Sequence, residues 1–262
     1  MNPADSNPVV LTRADAIADL SFNRPEAMNA LDLASARAFL QACRTIAADP
    51  QVRVVVLRGQ GRAFGAGGDL AVLRKGTGDA AQALIDPLHE AIQLLAGLNA
   101  PVIASLHGVV AGGSLSLSMA CDLAIAADGT RFNLAYANVA ASADVGGSWN
   151  LPRMVGLRTA MKIALLSDTF DAAEALRLGL VNWVVPADRL AEETLSLARR
   201  LAAGPTLAYG RMKRLMRQSF ENDFATQLDA EREAFCASAQ TQDFKEAIDG
   251  FFSKRTAVFT GK

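Results

Sequence analysis

Short apolar runs recur along the chain, each bounded by polar or glycine-containing turns. Val9-Val10-Leu11 and Ile17 to Phe22 read as a hairpin pair, and Asp32 is placed to cap a helix running to about Ala48. Val52 to Leu57, Val102 to Leu106, Leu123 to Ala127 and Val181 to Val185 have the length of strands. Between them, helical periodicity spans about Ala80 to Leu98, Ser114 to Ala120 and Leu157 to Leu166. Strands alternating with helices predict parallel βαβ units in an α/β fold. After Pro186 the pattern turns helical throughout, over Arg189 to Ala203, Pro205 to Arg217, Phe220 to Ala237 and Asp243 to Ser253. On pattern, residues 1–200 form a β/α core and residues 201–262 a helical region. Ala71 to Asp79, which contains Gly76, Thr77 and Gly78, lacks periodicity and reads as a mobile loop.

The chain has 262 residues, 51% of them hydrophobic, enough to fill one full core. Its 26 basic and 27 acidic residues leave a formal charge of −1, which gives no general attraction to nucleic acid or to an anionic membrane. The most apolar stretch, Val109 to Ala127, is interrupted by serines and Asp122. The start of the chain has neither the basic residues nor the apolar run of a leader, so a cytoplasmic location is expected. Cys43, Cys121 and Cys236 are far apart, form no CxxC and have only His89 and His107 for company. Structural thiols and no metal site are expected.

Two glycine-rich turns follow apolar runs. The first is Phe64-Gly65-Ala66-Gly67-Gly68-Asp69-Leu70, and the second, Ala111-Gly112-Gly113-Ser114, opens a helix of small residues. Backbone N–H groups at Gly68 and Gly113, one of them at a helix N-terminus, suit an oxyanion hole. Glycine turns also serve simply to reverse a chain. A dinucleotide fingerprint beginning at Gly59-Gln60-Gly61 fails because Phe64 stands where its third glycine belongs, and no GxxxxGK[ST] loop exists.

Four segments in order decide between these readings: NRPEAMNALD (23–32), GRAFGAGGDL (61–70), PVIASLHGVVAGGSLSLSMACDLAIAA (101–127) and GGSWNLPRMVG (146–156). Together they resemble the crotonase, or enoyl-CoA hydratase/isomerase, superfamily, and the likeness extends to the C-terminal KRTAVFTG (254–261). The resemblance implies a crotonase-type spiral of ββα units with a C-terminal helical region, assembled as a homotrimer or as a hexamer of two trimers. It implies an acyl-CoA substrate that carries its own coenzyme A, with no separate cofactor and no metal. It places the oxyanion donors at Gly68 and Gly113. It assigns substrate binding to Arg24, Ala27, Ala66, Gly67, Asp69, Leu70, Gly112, Ser116 and Tyr136, with Arg24 approaching the CoA phosphates. Phe252, Lys254 and Arg255 resemble the family's tail contacts to CoA.

Hydratases of this superfamily use two glutamates. The resemblance puts Ser116 and Tyr136 at those positions, and neither can act as a carboxylate. Asp144, before Val145-Gly146-Gly147, matches the aspartate of the isomerase branches, including dienoyl-CoA isomerases and a ring-epoxide isomerase. A single carboxylate that takes a proton from one carbon and returns it two carbons away suffices for a double-bond shift. Three alternatives stay open: a hydratase with atypical residues, a dehalogenase or hydrolase with Asp144 as nucleophile and His89 as its helper, and a CoA-binding scaffold without activity. His89, His107 and Trp149 also have ordinary structural readings.

Overall fold

The central strands are buried on both faces, and their alternate residues sort into two cores. The computed structural model describes residues 7–74 and 78–262. One sheet contains β1 (Val9–Ala14), β2 (Ile17–Phe22), β3 (Val54–Gly59), β4 (Val102–Leu106), β6 (Leu123–Ala127) and β9 (Trp183–Val185). These lie in the order β1-β2-β3-β4-β6-β9, with β1 antiparallel to β2 and every other pair parallel. Successive side chains of a strand point to opposite faces. Accordingly Val55, Leu57, Val102, Ala104, Leu106, Ala124 and Ala126 enter the larger core, while Val54, Val56, Ile103, Ile125 and Ala127 enter the smaller one. Burial on both sides explains why these strands read as unbroken apolar runs.

The larger core is closed by α1 (Leu33–Ala48) and α3 (Gly78–Gly97). Asp32 caps α1 by accepting the Ser35 N–H at 2.7 Å. Helix α3 buries Leu84, Leu88, Ala91 and Leu95, one helical stripe. Helix α4 (Gly113–Ala120) is buried along nearly its whole surface, so its hydrophobic character has no single face. Helices α5 (Gly147–Val155) and α6 (Leu157–Leu166) follow.

A second sheet, β5-β7-β8, forms from Val109–Ala111, Arg131–Asn133 and Phe170–Asp171, with α7 (Ala172–Arg177) after it. The apolar pattern does not predict this sheet, because strands of two or three residues are too short to show an alternation. Gly108 makes the turn into β5: its φ is +61°, and a Cβ there would lie 1.9 Å from the Arg62 carbonyl oxygen. The expected loop after Leu70 is also corrected in part. Leu70–Leu73 form a helical turn, α2, capped by Asp69, and α3 already begins at Gly78. Gly76 and Thr77 lie outside the described residues. Phe220 precedes the helix Phe224–Ala239 instead of starting it, because Asp223 accepts the Thr226 N–H at 2.8 Å and fixes the helix start later.

Helix α8 (Leu190–Ala202) covers the second face of the large sheet with Leu190 and Ala198. Helices α9 (Thr206–Gln218), α10 (Phe224–Ala239) and α11 (Gln242–Phe252) complete the tail. Helix α9 is anchored to the core by charge. Asp122 pairs with Lys213 at 2.6 Å and with Arg217 at 2.9 Å, and it accepts the Val102 N–H at 2.8 Å. Lys213 also donates to the Ala100 carbonyl at 2.9 Å. Burial, partly offset by the Asp122 charge, lowers the pKa of the Lys213 ammonium from its ordinary value.

Removing Asp122 would leave a buried ammonium without its counter-charge. Asp122→Ala is therefore expected to destabilise the protein by about 3 kcal/mol or more in urea unfolding. A loss below about 1 kcal/mol would show that Lys213 and Arg217 find other partners and that this anchor does not hold the tail.

Candidate active site

The first wall of the site is the Gly65–Leu70 segment, which is bonded on both sides. Gly65 N–H donates to Val109 O, and Gly65 O accepts from Ala111 N–H at 2.9 Å. Ala66 N–H meets Met28 O, Gly67 O accepts from Leu31 N–H at 2.7 Å, and Asp69 N–H donates to Leu31 O. In this strand-like pairing Leu31 uses Gly67 and Asp69, so the Gly68 N–H points away from it. Among the described residues it has no acceptor.

The second wall starts at Gly112, whose φ of 50° and ψ of −127° require glycine. Gly113 is the first residue of α4, where an N–H has no intrahelical partner, and it too has no acceptor among the described residues. The two turns touch. A Cβ on Gly67 would lie 3.0 Å from Ala111 O and 3.3 Å from Gly113 N, and one on Gly65 would lie 2.3 Å from Ser114 Oγ. Ser114 Oγ in turn accepts the Gly67 N–H at 3.2 Å. Both free donors border one cavity of about 450 Å³.

Tyr136 and Asp144 form the third wall. Their segment departs from the usual backbone: Ala135, Ala140 and Val145 have φ of 54°, 56° and 51°, followed by Gly146 at 76°. For the β-branched Val145 this conformation is costly, about 1–3 kcal/mol, so its surroundings must impose it. Two of them are visible. Asp144 O accepts the Gly147 N–H at 2.8 Å, and His89 Nε2 accepts the Val145 N–H at 3.2 Å. To accept, the imidazole must carry its proton on Nδ1.

The Tyr136 hydroxyl donates to Asp144 Oδ1 and lies 3.0 Å from Ser116 Oγ. Burial first, then the Asp144 charge, pushes the Tyr136 phenol well above its ordinary pKa. A methyl group on Gly113 would sit 3.6 Å from Asp144 Oδ1 and 3.7 Å from Tyr136 Oη. The Gly113 backbone and the Asp144 carboxyl therefore share one corner of the cavity.

The residues singled out from sequence fall into two groups. Ala66, Gly67, Gly68, Leu70, Gly112, Gly113, Tyr136 and Asp144 line the cavity. Ser116, fully buried, stands behind Tyr136 and touches it. Arg24, Ala27 and Asp69 lie outside that lining. Arg24 is engaged by Asp32 at 3.1 Å, by Asp69 at 3.3 Å and by the Ala30 carbonyl at 2.7 Å. Ala27 closes a short 3₁₀ turn beside it.

Sequence reasoning missed Ala81, Leu84 and Ile85 of α3, which form the apolar side of the cavity with Val139 and Ala141. Their i, i+3, i+4 spacing was the available signal. It also missed Ser114 and Asn29. The Asn29 amide donates to Gln60 O at 2.9 Å and Ala63 O at 2.8 Å, tying the first turn to the preceding motif. Among the described residues no cluster could hold a metal ion, and no helix is long and apolar enough to cross a membrane.

The family model for enoyl-CoA hydratase/isomerase matches residues 12–262. A 1,2-epoxyphenylacetyl-CoA isomerase of Escherichia coli is 33% identical over 93% of this chain and 94% of its own. A crotonyl-CoA hydratase of Syntrophomonas wolfei is 31% identical over 97% and 98%. The crystal structure of an enoyl-CoA hydratase from Bacillus anthracis superposes with a TM-score of 0.92 at 28% identity, covering 97% of this chain and all of that one. An enoyl-CoA hydratase from Mycobacterium smegmatis gives 0.91 at 30% identity over 96% and 98%. Hydratases and isomerases both stand among these relatives at similar identity, so the likeness establishes the fold and the kind of enzyme and not the reaction. With its crotonase-type fold, and with two glycine N–H groups that have no acceptor among the described residues beside a half-buried acid, the chain belongs to the enoyl-CoA hydratase/isomerase family.

Proposed function

We propose that the protein is a cytoplasmic acyl-CoA isomerase that moves a double bond, or opens a strained ring, through an enolate. One observation carries this reading. Asp144 is the sole carboxylate lining the cavity among the described residues, and the family resemblance puts the uncharged Ser116 and Tyr136 where hydratases carry their two glutamates.

The thioester carbonyl oxygen accepts from Gly68 N–H and Gly113 N–H, and fixed donors of this kind stabilise the enolate without reorganising. Asp144 takes a proton from one carbon of the acyl chain and returns it two carbons away. No atom is gained or lost. Leu70, Leu84, Ile85 and Val139 offer the acyl chain an apolar wall. Coenzyme A arrives as part of the substrate, and no other cofactor takes part. Water addition would need a second group to activate the water, and two neutral hydroxyls do not provide it. A nucleophilic role for Asp144 would need a nearby base. His89 is not among the cavity-lining residues, and its Nε2 is occupied by the Val145 N–H.

We also propose that the chain works as a homotrimer or a pair of trimers. Phe224 and Phe235 of α10, and Phe251 and Phe252 of α11, are exposed in the single chain. So are Trp149, Met212, Met216 and Phe220, which rim a cavity of about 390 Å³ between α5 and α9. Apolar area on this scale calls for a protein partner. Sedimentation should give an oligomer of the 27.6 kDa chain, and a dilute sample sedimenting as a monomer would refute the assembly.

Asp144→Asn should keep fold and ligand binding yet abolish deuterium exchange at the α- or γ-carbon of a bound enoyl-CoA in D₂O, because an amide cannot take up the proton. Unchanged exchange would remove Asp144 from the mechanism. Rapid hydration by the unaltered protein would move it to the hydratases, and a transient covalent acyl or aryl adduct on Asp144 would make it a nucleophile.

Gly113→Pro tests the oxyanion donor. Proline is tolerated at the first helical position, where no intrahelical bond is lost. The substitution should lower kcat by about 10²–10³-fold while leaving CoA binding in place. Near-normal turnover in a folded variant would exclude the Gly113 N–H.

A further inference from the structure

We propose that Tyr136 is a positioning residue for Asp144, the middle member of a hydrogen-bonded chain Ser116–Tyr136–Asp144 that fixes one carboxylate oxygen and leaves the other to the substrate. This inference rests on the isomerase reading above and assigns Tyr136 and Ser116 a task other than contacting the acyl group.

The direction of the chain follows from proton inventory. A phenol has one proton, and Tyr136 gives it to Asp144 Oδ1. Ser116 Oγ, 3.0 Å from the phenol oxygen, must then be the donor in that contact. Burial and the neighbouring carboxylate keep the phenol from ionising, so Tyr136 remains a donor over the working range. The Asp144 backbone carbonyl, 3.4 Å from the hydroxyl, offers a second acceptor on the same residue. Oδ1 is thus committed, and Oδ2 is the oxygen that exchanges a proton with the substrate.

The chain is built in. Ser116 is fully buried on α4, and a Cβ at position 147 would lie 2.4 Å from its Oγ, so Gly147 leaves the space the serine hydroxyl fills. Tyr136 is held where the chain turns left-handed at Ala135. Tyr136 keeps its proton throughout the reaction. Only Oδ2 gains one and loses it, so the cycle balances with no other co-reactant. A hydrogen bond to an ionised acceptor favours the charged form over the neutral one.

Tyr136→Phe retains the ring and removes the hydroxyl. With an enoyl-CoA substrate that the unaltered protein turns over, kcat should fall about tenfold or more and KM should change less than about twofold. The acid limb of the kcat/KM–pH profile should move up by about one pH unit, the tenfold change equivalent to about 1.4 kcal/mol. Loss of ring packing alone would not move the pH limb. Ser116→Ala should shift the limb in the same direction by less. Added to Tyr136→Phe it should change nothing further, because the serine acts only through the tyrosine.

An unmoved acid limb in Tyr136→Phe, or independent and additive effects of the two substitutions, overturns the inference. Should Tyr136→Phe fail to fold by thermal melting, Ser116→Ala alone decides it: a shifted limb supports the chain and an unmoved one refutes it. If Asp144→Asn still exchanges deuterium, the isomerase reading falls and this inference with it. If Asp144→Asn is inactive and Tyr136→Phe keeps the original profile, only the inference about Tyr136 falls.

Discussion

The structure of the site depends on two backbone turns that come together where side chains would keep them apart. Gly65 has no room for a Cβ because Ser114 Oγ would be 2.3 Å away, and Gly67 faces Ala111 O and Gly113 N at 3.0 and 3.3 Å. The first turn is pinned by Met28, Leu31 and Val109, and the second by Asn133, whose carbonyl accepts the Gly112 N–H. The consequence is that, among the described residues, nothing accepts the Gly68 N–H or the Gly113 N–H. In a protein interior an unpaired N–H is expensive, and a cavity that admits a polar atom is where such groups can persist. The donors are therefore part of the architecture, fixed before any ligand arrives.

The acid is placed by a different device. Asp144 stands beside the N-terminus of α4 in a segment with three non-glycine residues of positive φ, Ala135, Ala140 and Val145. That conformation stands only because the loop is held from several sides, by Gly147 N–H on the Asp144 carbonyl and by His89 on the Val145 N–H. His89 thus gains a structural account without entering the cavity. The same loop brings Tyr136 and Asp144, eight residues apart, into hydrogen-bond contact, which fixes the carboxyl within its own segment.

How legible this was varies with the length of the pattern. The large sheet and the tail helices were readable because strands buried on two faces and amphipathic helices leave long, distinct signals: β4, β6 and α6 have the predicted bounds. The second sheet left none, since Phe170–Asp171 and Arg131–Asn133 are set by pairing with distant residues. At the site, the glycine turns were legible from spacing and from resemblance. That Gly68 and Gly113 border one cavity with Asp144 is a tertiary fact. Arg24 shows the converse difficulty, because its residue type suits a phosphate while its guanidinium is met by Asp32, Asp69 and a carbonyl. No local pattern distinguishes an arginine waiting for a ligand from one already paired.

The identity of residues 116 and 136 is best understood together with that of residue 144. Ser116 Oγ, Tyr136 Oη and Asp144 Oδ1 form a continuous chain at hydrogen-bond distance, largely out of water. Carboxylates at all three places would set like charges about 3 Å apart, and such groups cannot all ionise. One would hold a proton at neutral pH and would no longer be a base. A site that keeps its acid at 144 thus gains by neutral donors at 116 and 136, which favour the single charge where glutamates would oppose it. On this argument the neutral side chains at 116 and 136 and the acid at 144 are one electrostatic choice, in which a single charge sits in the hydrogen-bonded chain with no like charge beside it.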